Sequence, residues 1–338
     1  MEITERYKSL ISLGHQWQHP DDDFEVVIDR AYRENPWFTP SNIRQAMKAI
    51  TDQFLSEGAL SYLIDKYKLD SPKVQKRIGL VLAGNIPFVG FHDLLCCYLT
   101  GHISFVKMSE KDRVLPTFFI EQLTKIEPKA STYFNHTDKL KDYDAVIATG
   151  SNNAAVHFEY YFRNVPHIIR RNRNGIAIIT GTETEQDLQN MAHDIFSYFG
   201  LGCRNISKVY VPRGYNIERL FKGFETYRDI ILHNKYKNNF DYNVALFLLN
   251  KEAFLQNEFV VLRESKDMVS RIGSIHYEYY DDLNALSTDL NNYIDAIQCI
   301  VCNQAVDGLI VIPPGTSQSP SIDTYADNVD TIQFLLSL

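Results

Sequence analysis

From Ile78 onward the chain sets short apolar runs against helical stretches, and each run ends in a polar or glycine-containing turn. The first three runs are Ile78-Gly79-Leu80-Val81-Leu82-Ala83, Ile103-Ser104-Phe105-Val106 and Asp144-Ala145-Val146-Ile147-Ala148. This alternation is the mark of parallel βαβ units, so the expected fold class is α/β, with ligands bound beyond the carboxyl ends of the strands. A second α/β block opens at Gly175-Ile176-Ala177-Ile178-Ile179-Thr180. A helix is predicted to start near Thr184, to carry Leu188, Met191, Ala192, Ile195, Phe196 and Phe199 as one apolar stripe, and to stop at Gly200. Later strand candidates are Lys208-Val209-Tyr210-Val211, Phe259 to Leu262, Ile275 to Tyr279, Gln298 to Cys302 and Leu309 to Ile312. Residues 1 to about 77 read as a polar-rich helical covering layer, with Thr39-Pro40 supplying a cap and a first-turn proline before Ile43, Met47, Ile50 and Phe54.

A chain of 338 residues with 45% hydrophobic composition can bury a substantial core, and its length points to two domains. The formal charge of -8 lacks the basic footprint of a nucleic-acid binder, so a polyanionic ligand would need a local basic pocket. Acidic residues stand at the start, Met1-Glu2-Ile3-Thr4-Glu5, where a signal peptide would be basic, and no apolar stretch is long enough to span a bilayer. The expected address is cytoplasmic. Five cysteines make a disulfide framework improbable. Cys96 and Cys97 fall in an apolar run and read as small buried hydrophobes. Cys299 and Cys302 form a CxxC on a predicted strand, where side chains three apart face opposite sides, and no metal site is expected.

That leaves Cys203, in Gly200-Leu201-Gly202-Cys203-Arg204-Asn205, directly after the amphipathic helix. Its glycines let the backbone approach a substrate closely, and Arg204 and Lys208 are close enough in sequence to favour a thiolate; a buried cysteine at a helix end is the plain alternative. Asn85, in Ala83-Gly84-Asn85-Ile86-Pro87, follows the first strand and can aim an amide donor at an oxygen. Lys107 and Glu110, after the second strand, can bracket a ribose with a donor and an acceptor. Thr149-Gly150-Ser151 ends a strand at a helix N-terminus, where free N–H groups suit a pyrophosphate, although no GxGxxG is present. Arg170, Arg171 and Arg173 read either as contacts to substrate or cofactor phosphates or as a solvated loop. Of the ten histidines, His92, His157, His167 and His193 fall near these segments, and nothing singles one out as a proton carrier.

Taken in order, Asn-x-Pro after a strand, Val-Lys-x-Ser-Glu, Thr-Gly-Ser before a helix and Gly-x-Gly-Cys resemble the aldehyde dehydrogenase superfamily from about Ile78 to the C-terminus. The resemblance implies an oxyanion role for Asn85, ribose contacts from Lys107 and Glu110, a pyrophosphate turn at Thr149, Gly150 and Ser151, and catalysis by Cys203. It extends to Tyr279-Tyr280-Asp281-Asp282-Leu283-Asn284-Ala285-Leu286, which looks like the strand-to-helix passage of the catalytic domain. Two departures matter. Hydrolytic members carry a water-activating glutamate where this chain has Ile168-Ile169-Arg170-Arg171, and no carboxylate lies between Glu159 and Glu183. The segment that grips the nicotinamide ribose is also unmatched, the nearest candidate being Ser270-Arg271-Ile272-Gly273.

The short N-terminal layer and the segment Tyr325 to Leu336 look specifically like LuxC-type acyl-CoA reductases. The resemblance implies an aldehyde dehydrogenase-like fold: an N-terminal helical layer with a Rossmann-like cofactor domain over 1–174, a catalytic cysteine domain over 175–312, and a tail over 313–338 that packs back. The implied reaction is NAD(P)H-dependent reduction of a fatty acyl-CoA, or another acyl thioester, to an aldehyde through a Cys203 acyl-enzyme. Glu110 disfavours a 2'-phosphate, whereas the resemblance points to NADPH, with Lys111 placed to compensate, so NADPH and NADH both stay open. Two rivals remain: an aldehyde dehydrogenase working in the oxidative or CoA-acylating direction, and a catalytically idle cofactor-binding scaffold. A homo-oligomer is compatible with the sequence and not required by it.

Overall fold

A computed structural model describes residues 1–338, in two compact units: Met1–Asn172 with Ser319–Leu338, and Arg173–Gln318. The first unit opens with helices α1 (Ile3–Gln18), α2 (Asp22–Glu34), α3 (Pro40–Gln53) and α4 (Glu57–Tyr67). Thr39 caps α3 by accepting from the Asn42 N–H at 3.3 Å, with Pro40 in the first turn, and Ile43, Met47 and Ile50 are buried as their spacing predicts. Then β1 (Arg77–Val81), α5 (Phe91–Thr100), β2 (Ile103–Lys107), α6 (Val114–Ile126), β3 (Phe134–His136), β4 (Ala145–Thr149), α7 (Asn152–Phe162) and β5 (His167–Arg170) form a parallel sheet with its helices. The strand order is β3-β2-β1-β4-β5, which is Rossmann-like. Leu80 of β1 stands beside Val106 on one side and Ile147 on the other, all buried.

The second unit holds β6 (Asn174–Ile178), α8 (Glu185–Phe196), β7 (Ile206–Pro212), α9 (Glu218–Phe224), α10 (Asn234–Leu249), β8 (Leu255–Gln256), β9 (Val261–Glu264), β10 (Ser274–Tyr280), α11 (Leu283–Asn291) and β11 (Ile297–Val301). Its sheet runs β11-β6-β7-β10-β9-β8, parallel except for the two-residue β8. The α8 stripe packs with Val209, Val211 and Leu262 on one face of the sheet, while Leu286 and Leu290 of α11 pack with Ile176, Ile178 and Ile300 on the other. Asp282 caps α11 by accepting from the Ala285 N–H at 2.8 Å, which is the strand-to-helix passage expected there.

Two expectations are corrected. The helix before Cys203 ends at Phe196 rather than at Gly200, because Tyr198 and Phe199 take left-handed φ values of +53° and +59° ahead of Gly200. Leu309 to Ile312 form no strand: only Ile312 bridges Val301, Ile310 is 92% exposed, and Pro313-Pro314 brings no N–H to extend the pairing. The expected tail over 313–338 is divided between the units. Asp194 of α8 accepts from the Gly315 and Ser317 N–H groups at 2.6 and 2.9 Å, which holds that part to the second unit. From Ser319 the chain rejoins the first unit, where α12 (Thr331–Leu336) packs on α5 and the Leu335 carbonyl lies 3.1 Å from His102 Nε2.

Candidate active site

Because β2, β1 and β4 are neighbours and parallel, their carboxyl ends open on one edge of the first sheet. From β1 the chain builds β2 and β3 to one side and β4 and β5 to the other, so this edge includes the point where the order reverses, the usual ligand crevice of such sheets. Asn85 is exposed in the turn after β1. Lys107 ends β2 and Glu110 follows in the next turn, both exposed, while Met108 between them is buried and anchors the segment. Thr149 ends β4, and Ser151 caps α7 by accepting from the Ala154 N–H at 3.2 Å. A β-carbon on Gly150 would lie 2.9 Å from both Ala154 Cβ and Phe158 Cε2, so glycine lets α7 start hard against the strand end. An ammonium, a carboxylate and a helix N-terminus on one edge fit the ribose hydroxyls and diphosphate of a nicotinamide dinucleotide.

Cys203 is built differently. It lies partly buried in the turn between α8 and β7, at the amino end of its sheet. Asn205, 2% exposed, holds that turn. Its Oδ1 accepts from the Gly202 N–H at 2.7 Å, and its Nδ2 donates to the carbonyls of Asp194, Ile195 and Ser197 at 3.0, 3.2 and 2.9 Å. Those carbonyls lie where a helix end runs out of intrahelical donors, so one amide side chain both finishes α8 and braces the residue before the cysteine. On the other side, a β-carbon on Gly175 would come within 2.7 Å of the Arg204 carbonyl oxygen, so β6 reaches the turn only because residue 175 has no side chain.

The remaining cysteines are poor nucleophiles. Burial raises the thiol pKa of Cys96, Cys97 and Cys302, and pushes that of Cys299 up to about 12. The CxxC pair divides as its strand predicts: the Cys299 sulfur lies 3.6 Å from the Arg204 carbonyl oxygen, while Cys302 enters the core beside Leu286 and Ile300.

Several solved structures share this fold. Aldehyde dehydrogenase 21 from Physcomitrella patens superposes with a TM-score of 0.71 at 12% identity, over 99% of this chain and 84% of its own. An oxidoreductase from Marinobacter aquaeolei gives 0.67 at 11% identity, over 90% and 74%. An indole-3-acetaldehyde dehydrogenase solved with NAD+ gives 0.65 at 12% identity, over 89% and 72%. No curated protein matches in sequence. The model of the acyl-CoA reductase (LuxC) family matches residues 44–220, a little over half of the chain and a span that includes both Asn85 and Cys203. The chain belongs to the LuxC acyl-CoA reductase family.

In this LuxC-family chain some of the cations read from sequence serve the fold. Arg170, 6% exposed, pairs with Asp93 of α5 and donates to Thr331 Oγ1 at 2.9 Å, so it ties the sheet to α5 and α12 and is not available to a phosphate. Arg171 is exposed and pairs with Glu159 of α7. Arg173 is partly buried at the start of the second unit. Lys208 is fully buried, pairs with Glu278 and donates to the Lys266 carbonyl at 2.9 Å, so its charge is matched on β10 rather than at Cys203. Among the histidines, His92 stacks between Phe54 and Tyr325, with Nε2 2.8 Å from the Ile322 carbonyl, His193 Nδ1 lies 2.7 Å from Tyr227 Oη, and His167 Nδ1 lies 2.8 Å from the Val165 carbonyl. Sequence reasoning missed Asn205. Its one signal was an asparagine in the short connection between a helix end and a strand, where a side-chain amide can satisfy backbone groups. No helix is long and apolar enough to cross a membrane.

Proposed function

We propose that this protein reduces an acyl-CoA, or a related acyl thioester, to the aldehyde, with NADPH or NADH as reductant and Cys203 as the acyl carrier. The observation that carries this reading is that Cys203 sits partly buried on a turn braced by Asn205, whereas Cys96, Cys97 and Cys302 are buried in the core. The family membership and the fold support it. Cys203 Sγ attacks the thioester carbonyl and expels the CoA thiol, and the Asn85 amide donates to the oxygen as charge develops on it. Lys107 and Glu110 hold a ribose, and the Thr149-Gly150-Ser151 turn with the start of α7 holds the diphosphate. A reduced nicotinamide held there would supply a hydride to the acyl carbon. The thiohemiacetal oxyanion so formed on Cys203 expels the Cys203 thiolate and leaves as the aldehyde. Ile169 stands where hydrolytic relatives place a water-activating carboxylate, so the acyl-enzyme waits for reduction.

The test is intact-protein mass spectrometry after treatment with acyl-CoAs of graded length. One hydroxylamine-labile acyl group on Cys203, absent in Cys203→Ala and discharged as aldehyde on adding reduced cofactor, is the expected result. Labelling at another cysteine overturns the assignment. Rapid release of free acid, or faster oxidation of aldehyde than reduction of thioester, moves the reading to a dehydrogenase.

A further inference from the structure

The turns after β1 and β2 are interlocked. A β-carbon on Gly84 would stand 2.5 Å from Ser109 Oγ, 2.7 Å from Ser109 Cβ and 3.1 Å from the Asp112 nitrogen, so the Asn85 turn rests directly on the turn that carries Lys107 and Glu110. Four residues past Gly84, Phe88 takes a left-handed φ of +57°, a strained state for a residue with a β-carbon. Its N–H donates to Asp112 Oδ2 at 3.0 Å, and its ring packs 5.5 Å from that of Trp17. Asp112 is 3% exposed, and its Oδ1 has no hydrogen-bond partner. Burial pushes its pKa up to about 8, against the pull of the Phe88 amide. A buried carboxyl with one orphaned oxygen is a poor choice for stability alone, which directs attention to what the other oxygen holds.

We infer that Asp112 is a positioning residue: by holding Phe88 in its left-handed state, it fixes the Asn85 turn against the Lys107–Glu110 turn, so that oxyanion donor and ribose contacts share one geometry. The inference rests on the roles proposed above for Asn85, Lys107 and Glu110. Asp112 touches neither substrate nor cofactor in this scheme and acts through the Phe88 N–H and the close contact of Gly84 with Ser109.

Hydrogen exchange read by mass spectrometry tests the lock itself, while Cys203 acylation by an acyl-CoA without cofactor and NADPH or NADH binding by calorimetry test its consequence. Asp112→Ala should raise exchange in both turns together, slow acylation by roughly tenfold to a hundredfold, and weaken dinucleotide binding. Asp112→Asn keeps an acceptor for Phe88 and should stay within about threefold of wild type in each readout. Gly84→Ala should reproduce the loss by pushing the turns apart, and Gly84→Ala with Ser109→Gly should restore acylation, a rescue that a merely destabilised fold would not give. Acylation and binding unchanged in Asp112→Ala, or no recovery in the double variant, overturns the inference. If wild-type Cys203 takes no acyl group, the functional reading fails instead, and exchange in the two turns decides the lock alone: unchanged exchange in Asp112→Ala overturns it.

Discussion

The two sheets carry their candidate residues at opposite ends of their strands. In the first unit Asn85, Lys107, Glu110 and Thr149-Gly150-Ser151 all lie at or just after the carboxyl ends of strands, where short turns and a helix N-terminus carry polar groups. In the second unit Cys203 precedes β7, at the amino end of its sheet, and follows the C-terminal end of a helix, whose carbonyls offer acceptors instead of donors. An edge of the first kind builds itself from parallel topology. A turn of the second kind needs a dedicated side chain to absorb those carbonyls, and Asn205 is that side chain.

The largest effect should come from setting Asn205→Ala against Asn85→Ala. Removing Asn205 leaves three carbonyls and one N–H without their partner in a buried setting, so stability should fall by about 2–4 kcal/mol in urea melts, with acylation of Cys203 slowed as well. Asn85 is exposed, so Asn85→Ala should change stability by less than about 0.5 kcal/mol while slowing acylation by on the order of a hundredfold. Equal destabilisation by both substitutions would break the contrast between the two edges.

A smaller effect separates cofactor from acyl chemistry. Lys107→Ala should weaken NADPH or NADH binding by roughly tenfold and leave acylation by acyl-CoA in the absence of cofactor near wild type, because only a charge-assisted contact to the dinucleotide is lost. A fall in cofactor-free acylation would place Lys107 with the acyl site instead.

A separate effect is on the pH dependence of stability. Asp112 is held near 8 in the folded protein, against about 4 when unfolded, so it takes up a proton on folding; its contribution is full below the unfolded value and is lost as pH rises through the folded one. Asp112→Asn has no such proton to lose. Its urea midpoint should therefore fall less than that of wild type between pH 5 and pH 8.5, and parallel curves would show that Asp112 is not raised.

The strands of the first sheet were legible because β1 and β4 are buried almost along their length and read as unbroken apolar runs. β3 and β5 were not: each is a short edge strand, and β3 buries only Phe134. The candidate residues after strands were legible for the same reason as the strands themselves. What sequence could not supply was long-range pairing. Arg170 read as a phosphate contact or a solvated loop residue because Asp93 and Thr331 lie 77 and 161 residues away, and Lys208 read as a neighbour of Cys203 because Glu278 is 70 residues further on. Proximity along the chain left a ligand reading open for Arg170, and the fold had matched those charges elsewhere. Asn205 escaped for the complementary reason, since its partners are local but depend on where α8 ends, and the helix stops before the glycine that was expected to end it.

The chain leaves the first unit at Asn172 and returns at Ser319, so the second unit is one continuous segment enclosed by a discontinuous one. On the ribosome this sets an order of events. The enclosed unit has its whole sheet in hand before residues 319–338 emerge, and can close its core while the earlier unit still waits for α12. Until then α5 lacks its cover and the Arg170–Asp93 pair lacks Thr331. The first unit, made first, is therefore finished last, and a nascent chain acquires its braced cysteine before that unit has closed its core.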